Sequence, residues 1–396
     1  VDVLFVAHRA PYPPNKGDRL RAWRHLTRLA RLGPVDIVAE ADDEQSAQVA
    51  REGLAKLCRE VHVFPRRLGS TLMRVGFAAL SGGSLTEAWH GDARVERCLT
   101  ELESRHDYGL CWAFSSGTGP WLLRRGIATR IMDLCDIDAL KWQALAKDGS
   151  WPMSWVHGLE ARRLLPREVR LSELADLTLV SSQQEADDLN SRGNPRRVEV
   201  LTQGTAWKDV AGLPQPSEVG DVVGFLGQMD YPPNVTAVIH LAQEVLPLVR
   251  QSVPGARLVI MGRAATPAVQ ALARPGVVEV TGEFESVASA LAEVAVFCAP
   301  LDQGRGIPNK ILEAMAAGRA TLVSSWSARA LAGEPGTDYL VADGAEDRAQ
   351  AIVELLTDPT RCDALAASGQ AYVRREHDWE HVLDRLECLV REATVA

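Results

Sequence analysis

The 396-residue chain contains no Cys-x-x-Cys pair, and its seven cysteines (Cys58, Cys98, Cys111, Cys135, Cys298, Cys362 and Cys388) are odd in number. Several lie in apolar, strand-like runs, so they read as reduced packing residues of a cytoplasmic protein. No stretch approaches the ~20 apolar residues of a membrane span. The opening run, Val1 to Ala7, is followed by His8 and Arg9 and is too short for the core of an export signal. Low-complexity segments and internal repeats are absent. After that first run, where a dinucleotide-binding protein carries Gly-x-Gly-x-x-Gly, the sequence reads HRAPYPPNKG, His8 to Gly17. Its absence argues against a nicotinamide oxidoreductase.

What is present describes a folded protein with two domains. Hydrophobic residues make up 46% and charged residues 24% of the chain, which is long enough for two sizeable cores. The formal charge of −9 is uneven: residues 1–200 sum to +1 and residues 201–396 to −10. Short apolar runs alternate with helical periodicity: Val35 to Ala39, Val61 to Phe64, Tyr108 to Phe114, Thr129 to Leu134, Leu177 to Ser181 and Arg197 to Thr202. The alternation predicts a doubly wound parallel sheet, whose ligands bind at the carboxyl ends of the strands. The stretch Trp207 to Gly220, rich in Gly, Pro and polar residues, reads as a linker. Asp221 to Gly227 then opens a second domain, followed by strands at Arg257 to Met261 and Val277 to Thr281.

The second domain is organised around Ala299 to Ser325. An apolar strand, Val294 to Ala299, breaks at Pro300 into a Gly-bearing loop, and helical spacing resumes at Ile307. Backbone N–H groups of Gly304 to Ile307 would then lie at a helix N-terminus, which favours an anion such as a diphosphate. Pro308 suits the first turn, Ile311, Leu312, Met315 and Ala316 form a core stripe, and Gly318 ends the helix. Lys310 and Glu313, three apart, would share the loop's mouth, a cation for phosphate beside a carboxylate for sugar hydroxyls.

The run GIPNKILEAMAAGRAT resembles the donor-sugar motif of the family 4 (group 1) glycosyltransferases of the GT-B fold, in which two Glu residues are separated by seven positions. Glu313 matches the second, which in that family holds the donor ribose; Arg305 stands where the first would be. The resemblance also matches Gly227 to the family's glycine after the first donor-domain strand and Gly282 to the turn that cups the base. Gly306 and Asn309 fall in the same donor motif. Other members supply Arg and Lys just beyond Gly227, where this chain has Gln228 and Asn234. Arg305 and Lys310 are therefore expected to hold the diphosphate from the other side.

In the first domain, three polar groups fall at expected strand ends: His8 with Lys16, Gly17 and Asp18; Ser115 to Gly119; and Asp133, Asp136 and Asp138. Asp18 is a plausible N-cap for a helix reaching about Leu32. The stretches VAHRAPYPPNKGDRLRAWRHL and MDLCDIDALKW resemble a narrower clade, the sugar transferases found with exopolysaccharide and exosortase (PEP-CTERM) loci. By position Gly17 looks like the counterpart of the family's glycine loop, and Asp136 lies near its usual His beside the donor sugar. On the first helix Arg21, Arg24, Arg28 and Arg31 form a basic stripe, read as a solvated face or a surface for anionic lipid headgroups. Trp151 to Leu174 reads as a long helix interrupted by Pro166, with Glu160 and Glu168 facing solvent.

These readings imply an α/β protein of the GT-B fold, two doubly wound Rossmann-like domains facing a cleft. The expected divisions are 1–206, a linker at 207–220, a nucleotide-sugar domain at 221–376, and a final helix, 377–396, returning to the first domain. The implied function is a retaining, metal-independent glycosyltransferase of exopolysaccharide or other glycan synthesis. It would need no cofactor beyond its nucleotide-sugar donor, and would act on a glycan, lipid-linked or small-molecule acceptor in the cytoplasm, with peripheral membrane contact. Expected catalytic residues are Asp136, His8 and Arg305; donor-binding residues are Gly227, Gly282, Arg305, Gly306, Asn309, Lys310 and Glu313; acceptor-side residues are Lys16, Gly17 and Asp18. A nucleotide-sugar 2-epimerase of the same fold and a catalytically idle nucleotide-sugar binder are the alternatives.

Overall fold

Among the described residues thirteen strands, all paired in parallel, carry the molecule, and the inner strands of each sheet, such as VLFVA, LCWAF and VVGFL, are apolar on both faces. The computed structural model describes residues 1–15, 17–122, 127–149, 151–210, 212–302 and 307–395. Seven strands form one sheet in the order β3-β2-β1-β4-β5-β6-β7: β1 Val3–Ala7, β2 Val35–Ala41, β3 Glu60–Pro65, β4 Leu110–Phe114, β5 Thr129–Cys135, β6 Leu177–Val180 and β7 Val198–Val200. Six form another, β10-β9-β8-β11-β12-β13: β8 Val222–Leu226, β9 Arg257–Met261, β10 Val278–Gly282, β11 Val296–Ala299, β12 Ala320–Val323 and β13 Leu340–Val341. In both, the order reverses beside the first strand, the topological switch point at which α/β sheets bind ligands. Val3 faces Val35 on one side and Leu110 on the other.

The chain divides into two compact units, Val1–Thr202 with Val382–Ala396, and Gln203–His381. Residues 207–220 therefore do not form the expected linker: Val210 joins the second unit's core, the backbone N–H and hydroxyl of Ser217 donate to Asp363 at 3.0 and 2.6 Å, and Arg319 donates to the Pro214 carbonyl. Its Pro and Gly content marks irregular backbone held in place, not a free connector. The crossing falls at Thr202–Gln203.

Eight helices matter below: α1 Gly17–Leu29, α2 Leu68–Ser81, α3 Leu85–His90, α4 Asp138–Asp148, α5 Met153–Leu174, α6 Pro232–His240, α7 Asn309–Ala316 and α8 Trp379–Val395. Two of the four arginines of the stripe, Arg21 and Arg28, turn inward, contrary to the solvated or lipid-facing reading, while Arg24 is half-buried and Arg31 exposed. Arg21 is fully buried and forks onto Asp133 of β5 at 3.2 and 3.3 Å, with His25 on the same carboxylate at 2.9 Å. Arg28 reaches Asp384 and Glu387 of α8 at 2.7 and 3.3 Å. An amphipathic wheel does not reveal this, because buried arginine becomes tolerable only when a distant strand supplies its counter-charge.

Glu160 and Glu168 of α5 are also buried, not solvent-facing. Glu160 accepts from the Ser84 hydroxyl and the N–H groups of Leu85 and Thr86 at 2.6–3.0 Å, and Glu168 accepts from Asp138 N and Ala139 N at 2.9 and 3.1 Å. Each satisfies the orphan donors at the start of another helix, α3 and α4 respectively. Asp18 lies in the first turn of α1 instead of capping it, because its carboxylate is taken by Arg9 at 3.0 Å.

Candidate functional site

In the second unit, the carboxyl ends of β8, β9 and β10 step past one another on glycines. Gly227 N donates to Met261 O at 2.9 Å, and Gly262 N donates to Gly282 O at 2.8 Å. Gly262 has a φ of 150°, and a Cβ there would meet the Gly227 carbonyl at 1.6 Å, so only glycine fits. Across from this edge α7 begins at Asn309, with Pro308 as its N-cap. The Lys310 ammonium donates to Asn234 Oδ1 and lies 4.6 Å from the centre of the Phe225 ring. Asn234, buried on α6, is fixed in turn by its Nδ2 donating to Gln228 O at 2.8 Å. A Cβ on Gly227 would come within 2.9 Å of Lys310 Nζ. Beside them is a cavity of about 330 Å³ lined by Gln228, Asp230, Tyr231, Pro232 and Asn234.

Among the described residues Lys310 has no carboxylate within ion-pair distance. Burial pushes its ammonium down to about 7, against the upward pull of Glu313. Burial likewise raises the Glu313 carboxyl, against the pull of Lys310, and that carboxylate has no hydrogen-bond partner among the described residues. An uncommitted cation and an uncommitted carboxylate thus share one edge of the sheet. Such a pair suits a ligand that brings an anion to one and hydroxyls to the other.

In the first unit the carboxyl ends of β1, β4 and β5 gather a second polar group. The His8 ring stacks on Phe114 at 6.0 Å, meets His90 edge-on at 5.4 Å, and lies 3.7 Å from Asp18. Burial works against ionising Asp18, yet His8 and Arg9 together hold its carboxyl well below the usual carboxylate range. Nδ1 of His8 is buried without a hydrogen-bond partner among the described residues. Behind it, His90 Nδ1 lies 2.9 Å from Glu40 Oε2; burial raises the Glu40 carboxyl to about 7, against the charge of Arg66. Next along the edge, Lys141 pairs with Asp136 at 2.9 Å and Asp138 at 3.2 Å, while Ser181 and Ser116 donate to those two carboxylates, each at 2.6 Å. Ser115 and Cys135, at the ends of β4 and β5, have φ of 75° and 64°, uncommon for residues with a side chain.

A family model described as "Glycosyl transferases group 1" matches residues 220–358. The matched segment contains Gly227, Asn234, Gly262, Gly282, Lys310 and Glu313, the residues of the strand-end edge described above. The chain is also similar to the phosphatidyl-myo-inositol mannosyltransferase of Mycobacterium leprae (strain TN), 30% identical over 199 residues, covering 48% of this chain and 51% of that protein. The protein of the same name from Mycobacterium tuberculosis (strain ATCC 25618 / H37Rv) is 29% identical over 177 residues, 42% of this chain and 46% of that one. The matches thus span about half the length of these curated relatives.

Among solved structures, Anabaena Alr3699/HepE in complex with UDP superposes with a TM-score of 0.70 at 14% identity, covering 99% of this chain and 100% of that one. Sucrose-phosphate synthase from Thermosynechococcus elongatus gives 0.70 at 17%, covering 99% and 98%. At such identities the likeness is one of fold, and the fold is GT-B.

Of the residues expected to bind donor, Gly227, Gly282, Asn309, Lys310 and Glu313 lie at or beside one strand-end edge of the group 1 domain. Gly282 contributes its carbonyl to the glycine steps, and Asn309 is the first residue of α7. Arg305 and Gly306 lie outside the described residues, as does Lys16. His8, Gly17 and Asp18 gather at the other sheet, with Gly17 exposed as the first residue of α1. Asp136 is not a free base: Lys141 and Ser181 occupy it and, against burial, hold its carboxyl below the ordinary range. Sequence reasoning missed Gly262, Glu40 and His90, and treated Asn234 only as an uncharged gap. The Met-Gly step closing β9 is a signal for the first; the others depend on contacts across 50 to 76 positions.

One group among the described residues has metal-ligand spacing, Asp36, Glu60 and His106. It lies at the opposite, amino-terminal edge of the first sheet, where Arg59 and Tyr108 already occupy Asp36.

Proposed function

We propose that this chain is a glycosyltransferase that moves a sugar from a nucleotide-diphosphate donor to a glycan, lipid-linked or small-molecule acceptor. In this reading anomeric configuration is retained and neither a metal nor a further cofactor takes part. The observation that carries it is Lys310 held over Phe225 by Asn234, with Glu313 one turn along. Lys310 holds the diphosphate and stabilises the charge that develops on it as the sugar bond breaks. That is work a metal ion would otherwise do. Glu313 accepts from the ribose hydroxyls, and the Gly227 and Gly282 turns let backbone approach the nucleotide. From the sequence alone, Arg305 and Gly306 extend the diphosphate site.

On the acceptor side His8, carried at a strand end with an open Nδ1, takes or gives a proton, with Lys16, Gly17 and Asp18 beside it. Asp136 acts by fixing Lys141, as a positioning residue. Support for a nucleotide donor comes from the structural neighbours, since HepE has been solved with UDP, with UDP and glucose, and with UDP-glucose. The mycobacterial relatives are named for a lipid acceptor, which fits a role in glycan synthesis at the inner face of a membrane, exopolysaccharide included. No helix among the described residues is long and apolar enough to cross one.

The test is to incubate the protein with a panel of nucleotide sugars, simple sugars and a lipid extract, and to follow free nucleoside diphosphate. A transferase releases it with one donor, and Lys310→Ala abolishes the release. Conversion of a donor to its epimer without release would identify an epimerase instead, and binding without either would identify an idle binder.

A further inference from the structure

Helix α2 has its amphipathicity reversed. Of its fourteen residues only Thr71 and Ala78 are buried, and its inner side is tied down by polar contacts, Arg74 donating to Ala88 O and Thr71 Oγ1 at 3.1 Å. The outer side carries Leu68, Leu72, Met73, Phe77 and Leu80, with Met73 and Phe77 72% exposed and Leu80 92%. At ~100° per residue these five span half the helix circumference, with Gly69 and Gly76 between them. A Cβ on either glycine would meet open space. Folding alone does not account for five large apolar side chains on one exposed helix face.

Charge supplies the second observation. Residues 66–85 contain Arg66, Arg67 and Arg74 and no carboxylate, in a chain whose formal charge is −9; Arg66 pairs with Asp42 and Glu40 at 3.0 and 3.5 Å and Arg74 turns inward, which leaves Arg67 as the outward cation of the segment. Arg67, exposed at the start of α2, has no side-chain partner among the described residues. Arg163 of α5 caps the other end, donating to the carbonyls of Ala78, Ala79 and Gly83. Eight residues back along α5, about 12 Å, Trp155 is exposed, as are Met153 and Trp151.

We propose that α2 is a membrane-docking helix that lies in the headgroup layer of an anionic bilayer, its Leu, Met and Phe side chains among the upper acyl chains and Arg67 on lipid phosphate. Interfacial helices bind through buried apolar area together with attraction to anionic lipid, and Trp residues settle at the same depth. A second copy of the chain is the poorer occupant. A helix of this length presents a strip about 21 Å by 10 Å, well short of the ~800 Å² per partner of a stable interface. The inference deepens the membrane side of the proposed function and takes the place, as contact surface, of the Arg stripe of α1, whose Arg21 and Arg28 face inward. Its test uses vesicles alone, so its failure would leave the donor assay standing.

The experiment is sedimentation of the full chain with vesicles of pure phosphatidylcholine or with about one third phosphatidylglycerol. Wild type is expected to bind the anionic vesicles and to release as salt is raised. Leu72→Ser with Phe77→Ser, at exposed positions, is expected to weaken binding by at least about tenfold with an unchanged melting curve. Arg67→Glu is expected to remove the preference for phosphatidylglycerol. Wild type that ignores both vesicles, or a serine variant that binds as well as wild type, would overturn the proposal. So would light scattering that finds a wild-type dimer converted to monomer by the serine variant with vesicle binding unaffected.

Discussion

Lys310 is a cation placed where it is hard to keep charged. Among the described residues its company is an amide oxygen, an aromatic face and a nearby carboxyl that burial makes reluctant to ionise. With its ammonium pushed down to about 7, Lys310 is partly neutral at pH 7, whereas a diphosphate beside it favours the charged form. Donor binding should therefore take up a proton, and affinity should fall as pH rises above 7. Calorimetric titration in two buffers of different ionisation enthalpy checks this: the apparent heats should differ for wild type and coincide for Lys310→Arg, whose guanidinium stays charged throughout. Arg21 is the opposite case, a buried charge fully committed to Asp133 and two backbone carbonyls. Arg21→Met leaves Asp133 buried with only His25 and the Cys135 N–H among the described residues, and urea denaturation should register a loss of roughly 3–5 kcal/mol.

At the scale of elements, the first unit starts two of its helices, α3 and α4, with carboxylates borrowed from other helices. Glu160 serves α3, while Glu168 and Glu185 serve the start of α4, the latter through Ile137 N at 2.8 Å. Glu160→Gln keeps the shape but offers one poorer acceptor to three donors, and should cost about 1–3 kcal/mol on the thermal or chemical unfolding curve, with loss of protection at Leu85 and Thr86 in hydrogen exchange. Such caps were illegible in the sequence, where Glu160 stands 75 positions from the N–H it accepts and looks like any charged helical residue. The strands were legible for the converse reason: a parallel strand covered on both faces must be apolar throughout, and VLFVA, LCWAF and VVGFL are. Lys310 and Glu313 were legible because three-residue spacing is a local property of a helix. Asn234 and Gly262 were not, since their roles depend on which strand ends lie side by side. The reversed face of α2 defeats periodicity altogether, because periodicity assigns apolar residues to the inside.

At the scale of the molecule, two α/β units repeat one strand order, and the last segment of the chain, Val382–Ala396, belongs to the unit at the other end of the sequence. Leu386 and Leu389 of α8 are fully buried, and Arg28, Arg197 and Arg385 pair with or reach across to the acids between them. Two cores of this kind should melt as two transitions in a calorimeter, since multidomain chains depart from two-state behaviour. A ligand that binds only the native second unit raises only that unit's transition. The most direct measurement is therefore scanning calorimetry of wild type, Lys310→Ala and Glu313→Ala against a panel of nucleotide sugars. One nucleotide sugar should raise the transition of residues 203–381 in wild type and leave both variants where they were. A panel in which no donor moves that transition, or in which the variants shift as far as wild type, would contradict the donor site.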